Sequence, residues 1–492
     1  MDRGNGLSKR GKSRNALKES STLDSVPFKT QRDYSRYLKE EIKLGRMSKR
    51  AVLEKITPIQ FLVTGYVVII IIGSLVLRIP VASSSGVSQP YIDALFTATS
   101  AVSTTGLVVE NTGAFYSFFG QSAILVLFQI GGIGYMTFMV LMVYSVGRKP
   151  SLTSAITLQE SLSGVTVGNM RKYVKAVFFF TLVFEGVGAL LLTTFWIHEY
   201  SLSHSIYLGV FHSVSAFCTS GFSLFSASFM SYDGSASITV IISLISIAGG
   251  IGFIILSDIR SFLQRYLTGL YPRQLSLHSK LSLFISSLLI LIGILIIFSA
   301  ESGVMPLKRK ILTSVFQSIS ASSTTGFNTI DIGSLTQTSL FTLIILMFIG
   351  AAPGGSGGGI KVTAFGSMVL FVWAVLKGRQ DVDAFSWQIP WGTVRKSFVI
   401  GFMMLGWVVL VTMILTMTEK TEFLNILFEV VSAAGTVGLS TGITAGLTSL
   451  GKLLIIMTML IGRVGPLAIA FSLIGEPKPI SFRRAKGDIF IG

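Results

Sequence analysis

Cysteine is almost missing from this sequence. Cys218 is the only one in 492 residues, which excludes an internal disulfide. Histidine is scarce as well. His198, His204, His212 and His278 are scattered without metal-ligand spacing, and His212 suits packing or a local hydrogen bond better than a metal. Only 13% of residues are charged, which is low for a soluble chain of this length. The acids inside apolar stretches, Glu185 and Glu429, stand far apart, so the parts of a proton relay or of an acid–base pair are lacking. H-E-x-x-H does not occur, and no cleavable signal pattern opens the chain. These gaps argue against an enzyme and against a resident cofactor.

Apolar sequence is what the chain has. Half of the residues are hydrophobic, and the mean hydropathy is +0.70. Runs at 59–77, 176–196, 281–298 and 398–415 approach or reach the roughly 20 residues that cross a bilayer. The fold class expected is an all-α polytopic membrane protein embedded in a lipid bilayer. The polar segment 1–55 reads as a basic cytoplasmic tail, with one amphipathic helix at 32–49. A basic tail raises nucleic-acid binding, but positive-inside topology and contact with anionic lipid account for it, so no nucleic acid is expected as a partner.

One phrase recurs four times. It stands at 96–107 (FTATSAVSTTGL), 211–222 (FHSVSAFCTSGF), 316–327 (FQSISASSTTGF) and 428–439 (FEVVSAAGTVGL). Every copy reads F-x3-S-A-x2-T-x-G-[LF]. Each lies between two apolar helices, giving pore repeats at 56–148, 170–266, 275–378 and 394–474, followed by a cytoplasmic tail at 475–492. Outer helices are expected near 59–80, 172–197, 279–299 and 394–417. Inner helices are expected near 120–146, 236–265, 337–376 and 449–473. The segment before each glycine is too short to span and suits a re-entrant helix. Eight spans put both termini on one side. The clusters Arg148/Lys149, Arg171/Lys172/Lys175, Arg260/Arg265/Arg273, Lys377/Arg379, Arg395/Lys396 and Arg483/Arg484/Lys486 make that side cytoplasmic. Lys308-Arg309-Lys310 falls on the opposite side, and the sequence offers no reason for it.

A dehydrated monovalent cation needs oxygen ligands all round, and backbone carbonyls supply them without a fixed charge that would trap the ion. Glycine permits the dihedrals that turn carbonyls inward. The candidate filter is Thr104, Thr105 and Gly106; Thr219, Ser220 and Gly221; Thr324, Thr325 and Gly326; Thr436, Val437 and Gly438. The alternative is that glycine and hydroxyl residues only allow close helix packing, as in a membrane-embedded enzyme or an organic-solute carrier.

These four loops resemble those of the Trk/Ktr/HKT superfamily of potassium transporters, and within it the Ktr (KtrB-like) membrane subunit. The resemblance covers 56–474, with no helix pair read before the first repeat, unlike the TrkH type. It implies a bacterial cell membrane protein that takes up potassium as its substrate. Sodium or proton coupling is left open. All-glycine filters go with potassium selectivity in this superfamily, and serine at the first position with sodium preference in some plant members. The resemblance also implies a homodimer with one pore per protomer, and a cytosolic nucleotide-binding regulatory ring of the KtrA/KtrC kind.

Two further features lie on the inner helices. The run 349–363, IGAAPGGSGGGIKVT, breaks the third one and does not match a phosphate-binding loop, because Lys361 follows Ile360 and precedes Val362. It reads either as a passive kink or as a mobile loop under the filter. The resemblance favours an intramembrane gate formed by Gly354, Gly355, Ser356, Gly357, Gly358, Gly359 and Lys361. Glycines at 131–134, 249–252 and 462–465 mark milder loosening at the same level of the other three. Arg463 lies within the last inner helix, where a charge needs water or a partner. It is read as the ion-pair partner of Glu429, as a snorkelling side chain, or as a guanidinium beside the pore that discourages cations from settling.

Overall fold

In the computed structural model the described residues are 58–145, 170–269, 274–301 and 306–474, and they are mostly helical with almost no sheet. The tail 1–55, the helix expected at 32–49, Arg148, Lys149, Arg273 and the tail 475–492 lie outside the described residues.

The first repeat comprises α1 (Pro58–Arg78), α2 (Tyr91–Val102) and α3 (Phe118–Ser145). The second comprises α4 (Met170–Trp196), α5 (Leu202–Phe217), α6 (Ala236–Ile251) and α7 (Phe253–Leu267). The third has α8 (Leu277–Ala300), α9 (Leu307–Ser322), α10 (Gln337–Phe348) and α11 (Val362–Leu376). Its two inner halves are joined by β1 (Ile349–Gly350) and β2 (Ile360–Lys361), a short parallel pair. A hairpin of β3 (Asp383–Ala384) and β4 (Trp387–Gln388) leads into the fourth repeat: α12 (Trp391–Thr418), α13 (Phe423–Gly435), α14 (Ser449–Val464) and α15 (Pro466–Ile474).

Length separates the roles. Val174–Trp196 within α4, α8 and α12 are long and apolar enough to cross a bilayer. Their outward faces carry Leu182, Leu295 and Phe402, all more than half exposed, as a lipid-covered surface requires. The short helices α2, α5, α9 and α13 have 12, 16, 16 and 13 residues, about 18–24 Å, and cannot span.

Within every repeat the outer and inner helices clasp the short helix between them. Between repeats, α3 packs on α5, α6 on α9, α10 on α13, and α14 on α2. The last contact returns to the first repeat, so the four close into a ring.

The inner helices differ from expectation. The continuous helices expected at 236–265 and 449–473 are each two helices, meeting at 101° across Gly252 and at 97° across Gly465. Both glycines take positive φ, 94° and 93°. The first inner helix, by contrast, runs unbroken through Gly131 and Gly132. There the glycines serve approach rather than unwinding. A Cβ on Gly131 would strike the Val102 carbonyl, and one on Gly132 would strike Cys218. Gly249 against the Phe217 carbonyl and Gly462 against the Ala434 carbonyl repeat that close approach.

The unexplained basic cluster also finds partners. Arg309 pairs with Asp233 of the preceding repeat, and the Lys310 ammonium lies 4.2 Å from the Phe298 ring centre. These contacts fasten the start of α9 to its surroundings.

Candidate functional site

Each short helix ends in the same way. Thr104, Thr219, Thr324 and Thr436 take left-handed φ values of 53°, 49°, 57° and 49°. The next N–H turns back five residues, from Thr105 to the Ser100 carbonyl (2.8 Å), Ser220 to Ser215 (2.9 Å), Thr325 to Ser320 (2.9 Å) and Val437 to Ser432 (2.8 Å). The threonine N–H reaches the alanine carbonyl of S-A, as Thr104 does to Ala101 at 3.0 Å. This is a Schellman-type stop built with a threonine in place of the usual glycine. The serine hydroxyl works too. Ser100 accepts from the Gly106 N–H (3.0 Å) and Ser432 from the Gly438 N–H (3.1 Å). Ser215 donates to the Phe222 carbonyl (2.8 Å) and Ser320 to the Phe327 carbonyl (2.6 Å).

The four loops then meet one another. Gly106, Gly221, Gly326 and Gly438 have φ of 87°, 67°, 85° and 94°. A Cβ on Gly106 would collide with the Ser220 carbonyl oxygen, and one on Gly221 with that of Thr325. One on Gly326 would collide with the Val437 carbonyl oxygen, and one on Gly438 with that of Thr105. Each glycine thus faces the middle carbonyl of the next loop, and the series closes on itself. The middle residues Thr105, Ser220, Thr325 and Val437 are fully buried. Thr219, Thr324 and Thr436 carry buried hydroxyls that find no hydrogen-bond partner among the described residues.

The segment 351–359 lies against these threonines. A Cβ on Gly357 would strike the Thr324 hydroxyl, and one on Gly358 the Thr436 hydroxyl. Thr104 Oγ1 donates to the Ser356 carbonyl at 3.2 Å. The loop's hydrogen bonds, which the sequence does not reveal, run through its backbone. Ala352 and Ser356 N–H reach the Gly250 and Gly249 carbonyls at 3.1 and 3.2 Å, and Gly359 N–H reaches Gly462 at 3.3 Å. Phe253 N–H bonds the Gly354 carbonyl at 3.2 Å, and Ser356 Oγ donates to Phe217 at 3.3 Å. Lys361 Nζ donates to the Gly357 carbonyl. Gly355 packs against the Gly249 and Gly250 carbonyls.

Arg463 reaches this loop from α14. Its guanidinium donates to the Ser356 carbonyl and to the Gly131 carbonyl of α3. The Glu429 ion pair considered from the sequence is not formed. Glu429 accepts instead from Ser440 (2.8 Å) and Thr444, so each of the two side chains has partners of its own. Glu185, read as isolated, accepts from Gln129 (3.1 Å), whose amide oxygen receives the Cys218 thiol at 3.1 Å. The stretches 354–358 and 438–442 both match the string G-x-S-x-G. Their serines, Ser356 and Ser440, are taken by the Phe217 carbonyl and the Glu429 carboxylate, so neither is set up as a nucleophile. His212 bonds locally, through Nδ1 to the Leu208 carbonyl (2.8 Å). Among the described residues no group of three or more His, Cys, Asp or Glu could hold a metal ion.

Residues 49–483 match the family described as TrkH, cation transport protein. The chain is 37% identical to the Ktr system potassium uptake protein B of Bacillus subtilis, over 89% of this chain and 97% of that one. It is 36% identical to the protein of the same name from Vibrio alginolyticus, over 85% and 92%. It is 34% identical to the potassium/sodium uptake protein NtpJ of Enterococcus hirae, over 87% and 95%. Its fold is similar to the crystal structure of the potassium transporter TrkH from Vibrio parahaemolyticus, with a TM-score of 0.66 at 20% identity, covering 84% of each chain.

Proposed function

The chain belongs to the TrkH family of cation transport proteins, and from that premise we propose that it is the potassium-translocating membrane subunit of a Ktr-like uptake system. It is a transporter rather than an enzyme. The observation that carries the reading is the closed series of four loops, each glycine facing the middle carbonyl of the next. A potassium ion on that axis exchanges its water shell for carbonyl oxygens, with the threonine hydroxyls available at one end. No side chain of the four loops brings a formal charge, so the ion is held weakly enough to leave.

The loop 351–359 is the gate in this reading. It lies beside the threonines and is bound to the second and fourth inner helices. Arg463 is the clasp that ties it to α3. Glycine at every filter position supports potassium over sodium, while the relative named potassium/sodium uptake protein leaves sodium as a coupling ion to be tested. The membrane placement has both termini cytoplasmic, in keeping with the basic residues at 171–175, 260–265, 377–379 and 395–396. A cytosolic nucleotide-binding regulatory ring as partner fits relatives named as proteins of a Ktr system, and a homodimer accompanies that assembly.

Rubidium uptake and potassium-limited growth in a transport-deficient host, with and without a candidate cytosolic partner, test the reading. Gly326→Asp or Gly438→Asp is expected to abolish uptake, and Gly106→Ser to weaken potassium over sodium. Normal expression with unchanged potassium and sodium kinetics in Gly106→Ser and Gly326→Asp would overturn the filter assignment.

A further inference from the structure

The residue after the phenylalanine of the repeated phrase is polar in all four copies: Thr97, His212, Gln317 and Glu429. All four are buried, with exposures of 1%, 0%, 0% and 0%. Burying a polar side chain is unfavourable unless it finds a partner. Each finds one on the chain that follows its T-x-G loop, although the Gln317 amide oxygen has no partner among the described residues. Thr97 Oγ1 accepts from Tyr116 (3.2 Å). His212 Nε2 accepts from the Leu224 N–H (3.2 Å) and lies 3.1 Å from Ser223 Oγ. Gln317 donates to Thr329 (3.3 Å). Glu429 takes the Ser440 hydroxyl at 2.8 Å on one oxygen and the Thr444 hydroxyl on the other.

The four bonds are not equivalent. A carboxyl group brings two oxygens, and Glu429 uses both as acceptors, tying two separate residues of the departing chain to one side chain. Ser440 stands two residues beyond Gly438 and itself accepts from the Gly442 N–H at 3.0 Å, so Glu429 reaches the backbone of the turn through one hydroxyl. In the first repeat, Tyr116 is also held by Gln89 (3.1 Å), which shares the task with Thr97.

We infer that Glu429 is a positioning residue for the fourth T-x-G loop: through Ser440 and Thr444 it fixes the chain leaving Gly438, and with it the discrimination between potassium and sodium. The inference rests on the filter reading. A wholly structural role would lower the amount or melting temperature of the protein and leave ion preference intact.

Inhibition of rubidium uptake by potassium and by sodium, with detergent melting temperature measured alongside, separates these. Glu429→Ala is expected to lower potassium-over-sodium preference about tenfold, the scale of a buried hydrogen bond lost with its partner left unsatisfied. Glu429→Gln, which keeps one amide oxygen as acceptor, restores part of it. Thr97→Ala changes it least. Ser440→Ala cuts the same bond from its half-exposed end and decides the matter if Glu429→Ala is not recovered folded. Unchanged preference in the Glu429→Ala and Ser440→Ala proteins, while Gly106→Ser shifts it, overturns the inference and leaves the filter standing. Unchanged preference in all three overturns both.

Discussion

At the scale of single residues, four-fold repetition makes some roles legible and hides others. The glycines of T-x-G can be read from the alignment because a side chain is missing at the same place four times. The left-handed threonines cannot, since L-residues with a side chain seldom adopt positive φ and nothing in the letter T announces it. Arg463 stands between these cases. A charge among apolar residues is conspicuous in sequence, yet its partner is a backbone carbonyl 107 positions away, which no side-chain pattern marks. Its role follows from those bonds. Hydrogen bonds to charged groups contribute about 1.5–3 kcal/mol each, so losing even one shifts the loop toward release by about tenfold or more. Arg463→Gln is therefore expected to raise rubidium flux with unchanged potassium-over-sodium preference, because preference is set at the glycines. Flux at or below the wild-type level in a protein that melts normally would show that the guanidinium is not the clasp.

Elements obey composition where apolar length decides and depart from it where glycine does. The outer helices follow the expected bounds closely: α8 and α12 are unbroken, mostly apolar helices of 24 and 28 residues. The inner helices resist the same reading because a glycine pair has two uses. At Gly131–Gly132 it lets an unbroken helix touch its neighbours, and near Gly252 and Gly465 it ends one helix and starts another. Sequence spacing is nearly the same in both, so only the surroundings decide. The third inner helix is different in kind, because the parallel pairing of Ile349 with Ile360 and Gly350 with Lys361 closes a neck around 351–359. The loop is thus an appendage to that neck rather than a piece of distorted helix. Deleting 354–358 should leave the neck and the flanking helices α10 and α11 folded. It should raise rubidium flux, because the excised glycines are those that sit against Thr324 and Thr436. A folded deletion protein that transports no faster than wild type would mean the loop is no barrier.

At the scale of the whole molecule, the question is what closes the ring. Three of the four junctions join repeats adjacent in sequence, so chain connection keeps them near. The fourth, α14 against α2, joins the last repeat to the first and has no such help. An ion pair stands there: Lys452 Nζ lies 2.6 Å from Asp93 Oδ1, with the side chains only 13% and 11% exposed. Both letters are plain in the sequence, but 359 residues separate them and nothing in either neighbourhood names the other. Removing one partner of a largely buried pair leaves the other charge without compensation, at a cost of about 3–5 kcal/mol, whereas replacing both with neutral groups is close to neutral. Lys452→Met is accordingly expected to lower the detergent melting temperature, and Asp93→Asn combined with Lys452→Met to recover most of the loss. Ion preference should stay unchanged in the double variant, since the pair touches no T-x-G loop. A single variant that melts like wild type would place ring closure in the apolar contacts of α2 with α14 and not in the charges. A single variant that is destabilised and not rescued by the second change would assign Lys452 a role beyond its partner Asp93.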